Sequence, residues 1–131
     1  MTKFIINGGK KLSGTIRVNG AKNDALVIFA ASLLTEKPVE ISNVPEIEDI
    51  KRTTEILSKL GTAIEKTGNR KYKVRAKHIT STLIDTEIAK RLRASILLTA
   101  PLLARKGQVS FPHPGGCVIG ERPINLFLDG Y

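Results

Sequence analysis

With 131 residues, 41% of them hydrophobic and 25% charged, the chain has the length of one ordinary domain and enough apolar residues for a packed core, which excludes disorder. A net charge of +9 asks for an anionic partner, but four Phe, two Tyr and no Trp offer few rings on which nucleic-acid bases could stack. The single cysteine excludes an internal disulfide, and neither a signal core nor an apolar run near the ~20 residues of a membrane helix is present, so a reducing cytoplasm is the expected compartment.

In chain order, residues 3–20 read as two short strands, Phe4-Ile5-Ile6 and 14–18, separated by the turn-like Asn7-Gly8-Gly9. Residues 21–36 read as a helix with Asn23 or Asp24 as N-cap, and its apolar residues cover so much of the circumference that burial on nearly all sides is expected. A strand follows at 39–42. Pro45 opens a second helix from about 46 to 60, with Ile47, Ile50, Ile56, Leu57 and Leu60 as its core stripe and Gly61 as its stop. Residues 63–65 and 72–75 form a hairpin around Gly68-Asn69. Residues 85–104 read as a third helical region and 109–111 as a strand. A glycine- and proline-rich loop at 112–123 precedes a short final helix.

The chain repeats itself at a shift of 69 residues. Ala25, Ala31, Leu33, Leu34, Lys37, Pro45, Ile50, Leu57 and Gly61 recur as Ala94, Ala100, Leu102, Leu103, Lys106, Pro114, Ile119, Leu126 and Gly130. The unit is strand, helix, strand, helix and closing hairpin, and the second copy stops before its hairpin, which predicts a truncated chain. The shift sets Lys22 opposite Arg91 and Asp24 opposite Arg93. Two helix starts, each with free N–H groups and a cation, predict a phosphate cradle.

The loop at 111–123 carries the most specific chemistry. Two glycines directly before Cys117 allow close approach of a ligand to the backbone, and Arg122 nearby favours the thiolate. His113 lies only four residues from Cys117 between two prolines, which disfavours a Cys–His pair, and His78 sits in a polar, lysine-rich segment. The histidines and cysteine have no metal-ligand spacing, so no metal is expected.

Gly20-Ala21-Lys22-Asn23, Leu92-Arg93-Ala94-Ser95 and Pro114-Gly115-Gly116-Cys117-Val118-Ile119-Gly120-Glu121-Arg122-Pro123 resemble, in order, the signature of the UDP-N-acetylglucosamine enolpyruvyl transferases. The resemblance runs from the first strand to Tyr131. It implies an inside-out α/β barrel built from βαβαββ repeats, about two of six being present. Residues 1–21 would belong to the domain otherwise formed by the C-terminal half, and 22–131 would be an incomplete first domain with units at about 22–90 and 91–131. It further implies transfer of enolpyruvyl from phosphoenolpyruvate to UDP-N-acetylglucosamine, with no metal or organic cofactor. The implied partners are these two small molecules and the C-terminal remainder of the enzyme, with neither nucleic acid nor membrane.

By the same resemblance, Cys117 is the catalytic proton donor and Lys22 and Asn23 bind phosphoenolpyruvate. Arg93, Arg122, Pro123, Ile124, Asn125 and Leu126 bind the nucleotide sugar. The family commonly has Asp and His where this chain has Asn125 and Phe127, so one charge and one titratable group are lost at that subsite. The rival expectations are a non-catalytic phosphate- or nucleotide-binding fragment and a basic nucleic-acid-binding domain.

Overall fold

A computed structural model describes residues 3–115 and 123–131. The chain order is α1 (Lys22–Ala31), a 3-10 turn (Ser32–Leu34), β1 (Val39–Ile41), α2 (Glu48–Lys59), β2 (Ala63–Gly68) and β3 (Lys71–Arg75). Then come α3 (Thr86–Ala89), a 3-10 segment (Arg93–Leu98), α4 (Thr99–Lys106) and α5 (Asn125–Gly130).

The three strands form an antiparallel sheet in the order β1-β3-β2, with Val39 opposite Val74, Ile41 opposite Tyr72 and Ile64 opposite Val74. The period of two turns these residues toward the helices. The Phe29 ring of α1 meets Tyr72 edge to face, with centroids 5.6 Å apart, so α1 lies on the sheet. Phe29, Leu33, Ile50, Ile56, Leu57, Val74, Leu98 and Leu102 belong to one buried cluster.

The sequence anticipates α2 well. Glu48 and Asp49 occupy its first turn and Lys59 its last, each favoured by the helix dipole. Gly61, at φ +94°, ends it: Gly61 N–H donates to Ser58 O and Thr62 N–H to Leu57 O, each at 3.0 Å. The helix opens at Glu48 rather than 46, because Pro45–Ile47 forms a tight turn in which Ile47 N–H donates to Pro45 O. The hairpin is present and longer than expected, with Arg70 at φ +58° completing its turn.

Five expectations are corrected. Residues 3–20 contain no strand and are exposed almost throughout, since no strand among the described residues pairs with them and an isolated strand lacks ladder partners. The N-cap of α1 is Ala21, with no side-chain bond, in place of Asn23 or Asp24. That start is set instead by tertiary contact: Gly20 packs so closely on the Asn43 carbonyl that a Cβ has no room. Nor is α1 buried all round, because Val27 and Ile28 are exposed, as is Leu34 in the 3-10 turn that follows. Finally, 85–104 is three pieces, and 109–111 supplies only a parallel bridge between Ser110 and Leu83.

The break in that third region has a physical cause. Pro101 has no N–H for Leu97 O and would crowd that carbonyl in a continuous α-helix, whereas the first unit has Ser32 at the matching place. The α-helix therefore starts only at Thr99, with Pro101 in its first turn. The separate turn at Leu92, extended at φ −136°, ψ 101°, lies nine residues before that proline and outside its reach. Arg105 of α4 ties the two units, donating to Leu33 O at 2.7 Å and Ala76 O at 3.3 Å. Among the described residues no helix is long and apolar enough to cross a membrane.

Candidate functional site

A cleft of about 690 Å³ opens where the start of α1, one face of α2 and the broken chain at 90–97 meet. Lys22, Asn23 and Leu26 line it from α1, Asp49 and Arg52 from α2, and Lys90, Arg91, Arg93, Ala94, Ile96 and Leu97 from the break. Among the described residues five cations thus face a single carboxylate, a balance that favours anions.

The repeat sets Lys22 opposite Arg91 and Asp24 opposite Arg93, and of these four Lys22, Arg91 and Arg93 line the cleft. Lys22 stands in the first turn of α1 and Arg93 at the start of its 3-10 segment, and both reach one cleft. Arg91 reaches it as well, from the turn just after α3 rather than from a helix start.

Each wall is held by polar contacts. Lys22 forms an ion pair with Asp49, its side chain staying 52% exposed and therefore open to a ligand. Arg52 donates through Nη1 to Arg91 O at 2.6 Å and pairs through Nε with Glu48 at 3.4 Å. Lys90 Nζ donates to Glu87 Oε1 at 3.2 Å. At the first unit's end, Arg70 holds the 43–45 loop through Asn43 Oδ1 at 2.5 Å and Val44 O at 3.2 Å, and that loop abuts Gly20 beside Lys22.

The cysteine loop begins at this cleft. Gly115 N–H donates to Ala89 O at 3.1 Å, and the Gly115 Cα lies against the Lys90 backbone with no space for a side chain. Cys117 and Arg122 themselves fall outside the described residues. Beyond them, Ile124 is buried, while Pro123, Asn125 and Leu126 are exposed, and none of the four lines the cleft. His113 and His78 are both exposed, as their neighbours in the sequence imply.

Sequence reasoning missed Asp49, Arg52 and Lys90. The signal for the first two was Asp49-x-x-Arg52, which puts both on the side of α2 away from its apolar stripe. A smaller cleft of about 380 Å³ lies on the other side of Arg52 and Arg91. There Lys59, hydrogen-bonded to Asp85 at 2.7 Å, holds that carboxyl below its usual range, helped by the Ile88 N–H that Asp85 caps.

Residues 6–131 match the family model described as EPSP synthase (3-phosphoshikimate 1-carboxyvinyltransferase). The chain belongs to this family. It is 45% identical over 130 residues to the UDP-N-acetylglucosamine 1-carboxyvinyltransferase of Haemophilus ducreyi, covering 98% of this chain and 30% of that protein. It is 47% identical over 126 residues to the protein of the same name from Bradyrhizobium diazoefficiens, covering 96% and 29%. The chain therefore spans about 30% of the length of these curated relatives. Its fold is similar to the crystal structure of the enolpyruvyl transferase NikO from Streptomyces tendae, with a TM-score of 0.67 and 28% identity over 76% of this chain and 23% of that one. The enolpyruvyl transferase α/β fold expected from the sequence is thereby shown for the part present.

Proposed function

We propose that this chain is the first part of an enzyme that transfers the enolpyruvyl group of phosphoenolpyruvate to a hydroxyl of UDP-N-acetylglucosamine and releases phosphate. The observation that carries the reading is the cleft in which both repeat units present cations, Lys22 from one and Arg91 and Arg93 from the other. Its scale suits a small phosphorylated substrate. The names of the relatives support UDP-N-acetylglucosamine as acceptor and a carboxyvinyl group as what is transferred.

The chemistry is addition followed by elimination. The methylene carbon gains a proton as the sugar hydroxyl bonds to the neighbouring carbon and gives up its own proton to a base. It then loses one as the bond to phosphate breaks, restoring the double bond. Cys117 is the proton donor, and Lys22 and Asn23 bind phosphoenolpyruvate. Arg93, Arg122 and 123–126 serve the nucleotide sugar. Lys22 carries charge where phosphate accumulates it, and a desolvated cleft strengthens that attraction. The opposing domain, to which 1–21 would belong, supplies the remaining contacts. In the cell this is the cytoplasmic first committed step of peptidoglycan synthesis, on which cell shape and division depend, and it is a target of fosfomycin.

A nucleic-acid reading is weaker on the surface itself. On the outer face of the sheet Lys73 stands between Glu40 and Glu65 on the adjoining strands, which offset its charge.

The test is phosphate release by the complete gene product, with both substrates and with each omitted. Release that requires both is expected, together with fosfomycin alkylation of Cys117 detected by mass spectrometry. Lys22→Ala should weaken phosphoenolpyruvate binding by ~1.5–3 kcal/mol, the worth of one charged hydrogen bond. Phosphate release that ignores the nucleotide sugar, or no adduct in folded protein with that sugar present, overturns the reading.

A further inference from the structure

We infer that Arg52 is a positioning residue for the anion cleft, acting through the broken segment that carries Arg91 and Arg93. The inference rests on the functional reading above. Leu92 leaves helical geometry, and the next amides look elsewhere: Leu92 N–H donates to Ala89 O, and Ser95 N–H to Leu92 O. The Arg91 carbonyl is thus left at the break, and Arg52 Nη1 reaches it at 2.6 Å across 39 residues of sequence.

Arg52 is itself fixed. It lies one helical turn after Glu48, which pairs with its Nε at 3.4 Å, and the guanidinium fork serves the carboxylate and the carbonyl together. Its side chain is only 28% exposed, on a helix whose other face is packed into the core. Arg52 and Arg91 form the partition between the two clefts, lining both. The segment that carries Arg91 and Arg93 is thus tied to α2 by this hydrogen bond. A bare cluster of cations would repel itself, whereas a cation tied to a carbonyl and to Glu48 is held at a set place without neutralising its neighbours.

Two measurements on the complete protein test this. The first needs no substrate: amide NMR shifts of Leu92, Arg93 and Ser95 should move in Arg52→Met, while those of Val27 and Phe29 in α1 stay in place. Unmoved Leu92–Ser95 signals overturn the inference and leave the enzymatic reading intact. The second is a calorimetric cycle with UDP-N-acetylglucosamine on wild type, Arg52→Met, Arg93→Met and the double variant. Arg52→Met should weaken binding roughly tenfold alone and far less once Arg93 is gone, because the two act as one unit. Losses that simply multiply would mean that Arg52 touches the ligand directly or only stabilises the fold, and the positioning role falls. Wild type that binds no nucleotide sugar sinks the functional reading and this inference with it.

Discussion

Gly115 is the residue on which the cysteine loop meets the cleft. Its N–H donates to Ala89 O, and its Cα rests where any Cβ would strike the Lys90 backbone. The first unit makes the same approach in reverse, with Gly20 against Asn43 O. Each unit thus brings the start of its first helix against the loop before its second, with glycine on one partner. Gly115→Ala should cost ~1–3 kcal/mol by overpacking and should also weaken anion binding, since the carbonyl it displaces belongs to a cleft residue. Chemical denaturation and calorimetry measure the two effects. Gly68→Ala, where a Cβ meets only the flexible Lys71 side chain at 3.8 Å, is the neutral control. Equal stability of the two variants would show that the loop does not bear on Lys90.

At the scale of elements, α3 is the weakest piece, only four residues long, and its start depends on Asp85. The Asp85 side chain accepts from Ile88 N–H at 3.0 Å and from Lys59 of α2 at 2.7 Å. Lys59, and then the cap, hold the Asp85 carboxyl below its usual value, while Asp85 raises Lys59 above its own. The Asp85 contribution to stability is present above its unfolded pKa of ~3.9 and is lost as pH falls through the lower folded value. The Lys59 contribution is complete below ~10.4 and is lost as pH climbs through its higher folded value. Asp85→Asn keeps a capping oxygen but removes the ion pair, so its stability should fall less steeply than that of wild type below about pH 4. Lys59 is exposed and Asp85 partly so, which keeps the difference small. Denaturant midpoints at pH 3 to 7 read it, and parallel curves for the two proteins would exclude this pair as an acid-sensitive contact.

For the whole molecule, the notable feature is apolar surface with nothing on it. Phe4, Ile6, Leu12 and Ile16 are each about nine-tenths exposed. Val27, Ala31, Leu34, Leu97 and Ala104 line an apolar groove of about 340 Å³ between α1 and α4. Such surface favours association. The 131-residue chain by itself should therefore sediment as a concentration-dependent mixture of species. It should also release no phosphate from the two substrates at a rate near that of the complete gene product, because an open cleft at high dielectric stabilises charge poorly. A monodisperse monomer with comparable turnover would show that the site is complete within these residues.

What the sequence determined by itself is what local rules can encode. The apolar stripe of α2, its stop at Gly61, the hairpin at 63–75, the doubling at 69 residues and the matched cations Lys22 and Arg91 follow from periodicity, turn chemistry and self-similarity, while Arg93 was named by the family resemblance. The cysteine loop identified the family by its motif, while Cys117 and Arg122 stay outside the described residues. Tertiary structure alone decided the rest. Strand signals at 4–6 and 14–18 name no partner, and without one they remain extended chain. The all-round apolarity of α1 does not say which neighbours are at hand to cover it. The change from 3-10 to α geometry at Thr99 turns on Pro101, which only the carbonyl it would crowd makes decisive. The cleft itself joins Asp49 to Lys22 and Arg52 to the Arg91 carbonyl, the second across 39 residues. Contacts at such separations are set when the helices pack, and no local pattern in the chain records them.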